Sequence, residues 1–425
     1  MQENIAINQK SNFKKWFTFV ILVLGAGTIF KLSSLKDAFY VPMQEFMGLT
    51  HTQIGAALSI YGLVQTVGNF ASIYISDRFS KRIMISFSLV SIGAIGVYIS
   101  TFPGYFGILL AWGLLSFFGE VIYWPVLLKS VRLLGDEHEQ GRLFGFLEAG
   151  RGVVDTIVAF SALGLFALLG KGPGALKGSI LFFSSIVALS GVISYFLVED
   201  NKEDESEKNV SKNKVAWDGV LTAIKMPEIW VVSLTIASIY SVYCGLTYFI
   251  PFLKDIYGLP VTLIGAYGII NQYGLKMVGG PIGGLLVDKK FKSATRFLRV
   301  ALIIAFFAMG IFILLPHESM NVYLGMTVTL GFGAIIFSMR AVFFAPIDEI
   351  KVPRNISGAA MSIACILGYA PQMFAFALYG SILDKFPGIQ GYRYVFLIMM
   401  FFAATGIAIT TLLLKMIKKR QNNIN

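Results

Sequence analysis

Long apolar stretches alternate with short polar connections along the whole chain. Runs such as 16–30, 180–197, 300–315 and 394–414 carry no charged residue and show no period-two alternation. A helix needs about 20 mostly apolar residues to cross the hydrocarbon core of a bilayer. Only helices or closed barrels satisfy every backbone group there, and these runs are too long and too uniformly apolar for barrel strands. The pattern predicts twelve helical spans, near 14–42, 52–76, 83–101, 105–129, 142–169, 178–197, 228–253, 261–287, 296–315, 320–346, 355–383 and 391–416. Lys10, Lys14 and Lys15 ahead of the first run resemble a secretory leader. The run continues past Ala26 without a small-x-small cleavage site, which predicts a retained first span ending near Tyr40.

Charge falls unevenly between the connections. One side carries Lys10, Lys14 and Lys15, then Arg78, Lys81 and Arg82, then Arg132 and Arg142. It continues with 202–225, 289–299, Lys351, Arg354 and 415–420; the other side has little beyond Lys171, Lys177, Lys254, Lys385 and Arg393. The positive-inside rule then places both termini in the cytoplasm and requires an even number of spans. The longest polar stretch, 199–214, lies at the middle of the chain and is too hydrophilic to bury a core. A short interfacial helix is expected just after it, from Trp217. The expected organisation is a first six-helix bundle over 1–198, a cytoplasmic linker over 199–226 and a second six-helix bundle over 227–425.

Composition agrees with this picture. Hydrophobic residues make up 56% of the chain and charged residues 14%, against about 25% charged in a soluble domain. A net charge of +11 does not indicate nucleic-acid binding here, because the basic residues sit in short loops between apolar runs. Cys244 and Cys365 both fall inside predicted spans as packing residues. His51, His138 and His317 form no metal-ligand spacing, and no Walker-type phosphate loop is present. No cofactor or metal is expected.

The two halves repeat a charged motif. Ser76-Asp77-Arg78-Phe79-Ser80-Lys81-Arg82 follows span 2, and Gly284 to Asp288-Lys289-Lys290 closes span 8. At these residues the chain resembles the major facilitator superfamily, whose motif between spans 2 and 3 reads Gly-x-x-x-Asp-Arg/Lys-x-Gly-Arg/Lys-Arg/Lys. Ile73 and Ser80 stand where the first copy usually has glycine, and Phe291 where the second does. The resemblance implies an all-α membrane protein of two pseudo-symmetric six-helix bundles. It also implies that spans 1, 2, 4, 5, 7, 8, 10 and 11 line a cavity and that spans 3, 6, 9 and 12 support it. The stretch from Pro42 through Ser59 to Arg78 is also similar to the organophosphate–anion antiporters. Those carriers hold phosphate with an arginine in span 1 and another in span 7. Here Ser34 stands at the first position and span 7 has no arginine, so the resemblance implies an organic anion without phosphate specificity.

Ionisable groups inside a bilayer are costly and mark function by default. Lys31, Asp155 and Lys276 fall near the middle of spans 1, 5 and 8; Glu120, Glu148, Arg151 and Arg340 fall in the cytoplasmic halves of spans 4, 5 and 10. All lie on spans that the resemblance assigns to the cavity. Glu148, Arg151 and Asp155 share one helix face by their spacing, and for the first two a helix-locking ion pair competes evenly with a functional role. Lys31, Lys276, Arg151, Arg340, Tyr243 and Gln272 are the expected substrate contacts. Asp155, Glu120 and Glu148 are expected in coupling, and Asp77, Arg78, Asp288 and Lys289 in gating. Lys31 and Lys276 belong to opposite halves, so an anion bridging them is expected to close the cavity, with Asp155 as the resting partner of one of them. The glycines at 141, 145, 150 and 152 and at 279, 280, 283 and 284 read as helix-approach surfaces.

The leading expectation is a monomeric secondary transporter in the plasma membrane (a bacterial inner membrane). It would move a small organic anion coupled to protons or a counter-anion. A multidrug exporter of the same fold is the alternative, given the many Phe and Met residues. A membrane sensor would need a soluble signalling domain, and an intramembrane enzyme a compact His/Asp/Ser set; neither is found.

Overall fold

Helix breakers and caps cut the apolar runs into the elements of the structure, a computed structural model that describes residues 2–78, 80–135, 139–198, 221–317, 320–353 and 356–422. The linker stretch 199–220, Trp217, His138 and Arg354 lie outside the described residues, as do the side chains of Asp77 and Arg78. The described chain is helical, without a strand. It forms two units, Met1–Gly48 with Val64–Glu203 and Leu49–Leu63 with Asp204–Asn425.

The first unit holds α1 (Gln2–Thr28), α2 (Leu35–Met47), the second half of α3 (His51–Arg78), α4 (Lys81–Ser100), α5 (Tyr105–Ser116), α6 (Trp124–Arg132), α7 (Gln140–Leu168) and α8 (Pro173–Leu197). The second holds the first half of α3, α9 (Pro227–Gly245), α10 (Phe249–Asp255), α11 (Val261–Ile269), α12 (Leu275–Leu285), α13 (Ala294–Leu314), α14 (Val322–Val342), α15 (Pro346–Glu349), α16 (Ser357–Tyr369), α17 (Ala375–Lys385) and α18 (Ile389–Asn422). Among the described residues, nine helical stretches are long and apolar enough to cross a membrane. The remaining expected spans, 14–42, 52–76 and 261–287, coincide with α1–α2, α3 and α11–α12. The count of twelve rests on the sequence pattern.

Local chemistry explains where helices begin and stop. Pro173 and Pro227 open α8 and α9 at the first turn, where a missing N–H costs nothing. Ser80, Ser293 and Asn321 accept first-turn N–H groups at the starts of α4, α13 and α14. Gly48 closes α2 at φ 65°, a left-handed conformation that disfavours a side chain.

The expected continuous first span is not observed: the helix breaks between Thr28 and Leu35. The Thr28 hydroxyl donates to the Leu24 carbonyl at 2.9 Å, and the Ser33 hydroxyl donates to the Phe30 carbonyl at 3.0 Å. Such local bonds compete with helix continuation. Further irregular segments are the π-helical stretches Phe117–Tyr123, Ile270–Gly274 and Leu286–Phe291 and the 3-10 stretches Leu246–Tyr248 and Ala370–Met373. All interrupt spans 1, 4, 7, 8 and 11, whereas α4, α8, α13 and α18, the expected supporting spans, run unbroken. Irregular backbone at membrane depth is tolerated only where protein or a water-filled cavity satisfies it.

Packing within the second unit centres on edge-to-face aromatic pairs. Phe249 lies 5.8 Å from Phe332 and 5.9 Å from Phe312, and Phe252 lies 5.1 Å from Tyr392. Each such pair contributes about 0.5–1.5 kcal/mol beyond area burial. His317 seals this cluster: its ring Nδ1 is 2.8 Å from the Tyr257 hydroxyl and its Nε2 is 2.7 Å from the Phe312 carbonyl.

Glu349, in the last turn of α15, caps the start of α13. The Ala294 and Thr295 N–H groups both donate to its Oε1, and the Ser293 hydroxyl donates to its Oε2 at 3.1 Å. Removing this carboxylate strands two helix-terminal donors. Glu349→Ala is therefore expected to lower stability by about 1–2 kcal/mol. Thermal unfolding of the purified variant checks it, and a midpoint equal to that of the parent protein would assign those donors to water instead.

Candidate functional site

The helix break in the first unit sets a lysine inside the protein. Lys31 lies in the turn between α1 and α2 and is 2% exposed. Its Nζ is 2.6 Å from Asp155 Oδ1 and donates to the Asp155 backbone carbonyl at 2.9 Å. Asp155 sits on α7, one turn beyond Arg151, whose Nε is 4.0 Å from Asp155 Oδ2 and whose Nη1 is 3.3 Å from Glu148 Oε1. The spacing of 148, 151 and 155 thus does gather three charges on one face, and Lys31 joins them from another helix. The Arg151 guanidinium lies over two rings, 4.8 Å from Trp124 and 5.9 Å from Phe30. These contacts hold a weakly hydrated cation in an apolar surround. Two cations face two carboxylates, so this cluster carries no net charge. Lys36 pairs with the adjacent Asp37 in the same way, both buried.

The second unit is built differently. Arg340, in the last turn of α14, is half-buried. Its guanidinium carbon lies 3.8 Å from the centroid of the Tyr243 ring, 5.3 Å from Tyr240 and 5.6 Å from Phe337. Tyr240 and Tyr243 are three residues apart on α9 and face one way, with ring centroids 5.1 Å apart. Tyr369 closes the group at 4.8 Å from Tyr240. Gln272, in the π-helical stretch before α12, donates from Nε2 to the Tyr243 hydroxyl at 2.7 Å. The Tyr240 hydroxyl donates to Gln372 Oε1 at 3.4 Å. Gly279 and Gly283 bring α12 against the backbone of α14 at Phe337 and Ser338, while Gly280 and Gly284 meet nothing there.

No carboxylate lies within 4.0 Å of Arg340 among the described residues, and its Nε is buried without a hydrogen bond. The sequence supplies no compensating charge in this region: 229–254, 256–287, 319–347 and 350–383 contain no Asp or Glu. Lys276, one turn beyond Gln272, is exposed. A guanidinium stacked on tyrosine and hydrogen-bonded to Tyr243 still has N–H groups, Nε among them, that a planar anion can accept from.

The remaining expected site residues disperse. Glu120 is half-buried within the π-helical stretch 117–123. Asp288 and Lys289 are exposed in the stretch that ends the span after α12. Asp77 and Arg78 end α3, and their side chains lie outside the described residues. Sequence reading marks Tyr240 and Tyr369 as candidate hydrogen-bond contacts for substrate, but not as walls around Arg340, and it passes over Phe337. It also passes over Asp384, because the Thr52 amide that this carboxylate accepts from lies 332 residues away.

Comparison with known proteins places this arrangement. The family model described as Major Facilitator Superfamily matches residues 21–346. The Escherichia coli (strain K12) inner membrane protein YihN is 52% identical over 416 residues, covering 97% of this chain and 98% of that protein. The inner membrane protein YqcE of the same organism is 27% identical over 403 residues, covering 94% of each. Among solved structures, a bacterial homologue of the human lysosomal transporter Spinster, in an inward-facing and unoccupied conformation, superposes with a TM-score of 0.78. It is 14% identical and covers 96% of this chain and 98% of that one.

Proposed function

Because the chain belongs to the major facilitator superfamily, whose members are multi-pass membrane transporters rather than enzymes, we propose that it carries a small organic anion by alternating access, driven by protons or a counter-anion. The observation that supports an anionic substrate most directly is Arg340. It is an arginine stacked on Tyr243, with no Asp or Glu within 4.0 Å among the described residues, in a region where 229–254, 256–287, 319–347 and 350–383 contain no acidic residue. Burying such a charge is costly unless something pairs with it. A bound carboxylate, sulfonate or phosphate monoester supplies that pair and presents the planar geometry that a guanidinium edge matches. Lys276 and Gln272 lie on the same face of the next span, one turn apart, as further contacts.

The first unit serves coupling in this reading. Asp155, held by Lys31 and Arg151, is a carboxylate whose protonation would free two cations at once. The lysine- and arginine-rich connections support an orientation with both termini and the linker on the cytoplasmic side.

Thermal stabilisation of the purified protein by a panel of anionic metabolites tests the substrate class, since a ligand at 100 times its Kd stabilises by about 2.7 kcal/mol. An anion that stabilises the parent protein is expected to bind Lys276→Gln at least about tenfold more weakly, or roughly 1.4 kcal/mol. The tyrosine-rich wall around Arg340 also suits a multidrug exporter. Stabilisation by hydrophobic cations, with none by any anion, would replace the proposed reading with that one.

A further inference from the structure

The start of α3 packs inside the second unit, against the end of α17. Its first-turn amides divide into two pairs. Thr50 and Gln53 cap each other: the Thr50 N–H donates to Gln53 Oε1 at 3.0 Å and the Gln53 N–H donates to Thr50 Oγ1 at 3.2 Å. The two amides between them, of His51 and Thr52, donate to Asp384 Oδ1 at 3.1 Å and Oδ2 at 2.7 Å. One carboxylate from α17 therefore completes a helix N-terminus that its own sequence leaves half satisfied. The same crossing is tight further along. Gly380 abuts the His51 carbonyl, Gly55 abuts the Phe376 carbonyl, and the Ala377 N–H donates to the Ser59 hydroxyl at 3.2 Å. A side chain at either glycine would part the helices.

Beside the cap lies a cavity of about 240 Å³ whose walls include His51, Asp255, Asp384, Pro387, Gly388 and Tyr392. Asp255, at the end of α10, accepts the Tyr392 hydroxyl from α18 at 2.5 Å. Among the described residues, Asp384 and then Asp255 are carboxylates whose charge acts on His51. Lys254 and Lys385 flank these aspartates in sequence, and the Lys385 ammonium lies 5.5 Å from the Phe386 ring.

We propose that Asp384 is a proton-sensitive latch: it holds the start of α3 on α17, and acidification of that face releases it through His51. Two geometric facts support the direction. A charged imidazole would sit at the positive end of the α3 dipole, where cations are disfavoured. It would also compete with the His51 and Thr52 amides for a carboxylate both of whose oxygens are already engaged. Burial holds the His51 imidazole below the usual histidine range, against the opposing pull of Asp384 and then Asp255. The latched form thus binds a proton less readily than a solvated His51 does. As pH falls below the ordinary histidine value of about 6.5, the released form gains. Under the proposed orientation this face is external, so the latch would bias the carrier toward opening outward in an acidic surround. The latch itself stands apart from the substrate reading and is tested without a substrate.

Hydrogen exchange of the full-length purified protein, corrected for the intrinsic pH dependence of amide exchange, reads the cap directly. Protection of the 51–55 segment is expected to fall at least about fivefold between pH 7.5 and pH 5.0. In His51→Gln, which keeps the backbone donors, protection at pH 7.5 should persist and the pH dependence should vanish. In Asp384→Asn, protection of this segment should fall about tenfold at both pH values while exchange in α13 stays unchanged. Unaltered protection in Asp384→Asn would overturn the latch. Parent protection that does not change with pH, or a pH dependence retained in His51→Gln, would overturn the role of His51.

Discussion

Asp155→Asn is expected to lower stability by about 3–5 kcal/mol, because it removes one partner from a buried pair. Lys31 is enclosed, its side chain 1% exposed, with the Asp155 carboxylate at 2.6 Å as its counter-charge. The asparagine removes the nearest counter-charge from the ammonium and puts a neutral amide in its place. It also leaves Arg151, 13% exposed, with Glu148 alone. The double variant Lys31→Met, Asp155→Asn should recover most of the loss, since an apolar side chain of similar length packs where the ion pair was. Thermal unfolding across the four members of that cycle gives the coupling between the two positions. A loss below about 1 kcal/mol in Asp155→Asn would mean that water reaches the pair and that the site is open rather than enclosed. The transport assay is read separately. Asp155→Asn should abolish proton-driven accumulation while exchange of substrate across the membrane persists.

Arg340 should behave in the opposite sense, with a large effect on binding and a small one on stability. No carboxylate within the described protein would be left unpaired by its removal, and it is half-buried. Arg340→Ala is expected to weaken the stabilising anion by more than about tenfold, roughly 1.4 kcal/mol or more. Arg340→Lys should not restore it, because the stack on Tyr243 at 3.8 Å and the two-pronged N–H edge belong to a planar guanidinium. Isothermal titration or thermal-shift titration with the anion found in the panel decides the matter. Normal affinity in Arg340→Ala would remove Arg340 from the substrate site. Equal rescue by lysine would show that charge alone matters there.

The helical spans, the charge bias of the connections and the duplicated aspartate-plus-cation motif were legible in the sequence. Each depends on hydrophobicity or on neighbours within one or two turns. The grouping of Glu148, Arg151 and Asp155 was legible for the same reason, since helical spacing alone places them on one face. The Thr50–Gln53 capping box is equally local, although it gives no hint of the carboxylate that completes it. The break at 29–34 was less visible: Thr28, Ser33 and the glycines before them permit an interruption, but an isolated apolar run of that length reads as continuous helix.

Tertiary structure decided which charges meet. From sequence alone Lys31 and Lys276 look equivalent, each a lysine near the middle of a span. In the structure Lys31 is enclosed against Asp155, 124 residues away, whereas Lys276 is exposed on α12. Arg151 and Arg340 likewise look alike until their surroundings are known: one is paired with carboxylates, the other walled by tyrosines. Residue type determined that each group would be costly in a membrane. Its partner depends on helix rotation and on contacts between elements remote in the chain, neither of which hydropathy encodes. The Asp384 cap makes the same point: its sequence carries the carboxylate, but only the packing of α3 on α17 gives that carboxylate two helix amides to hold.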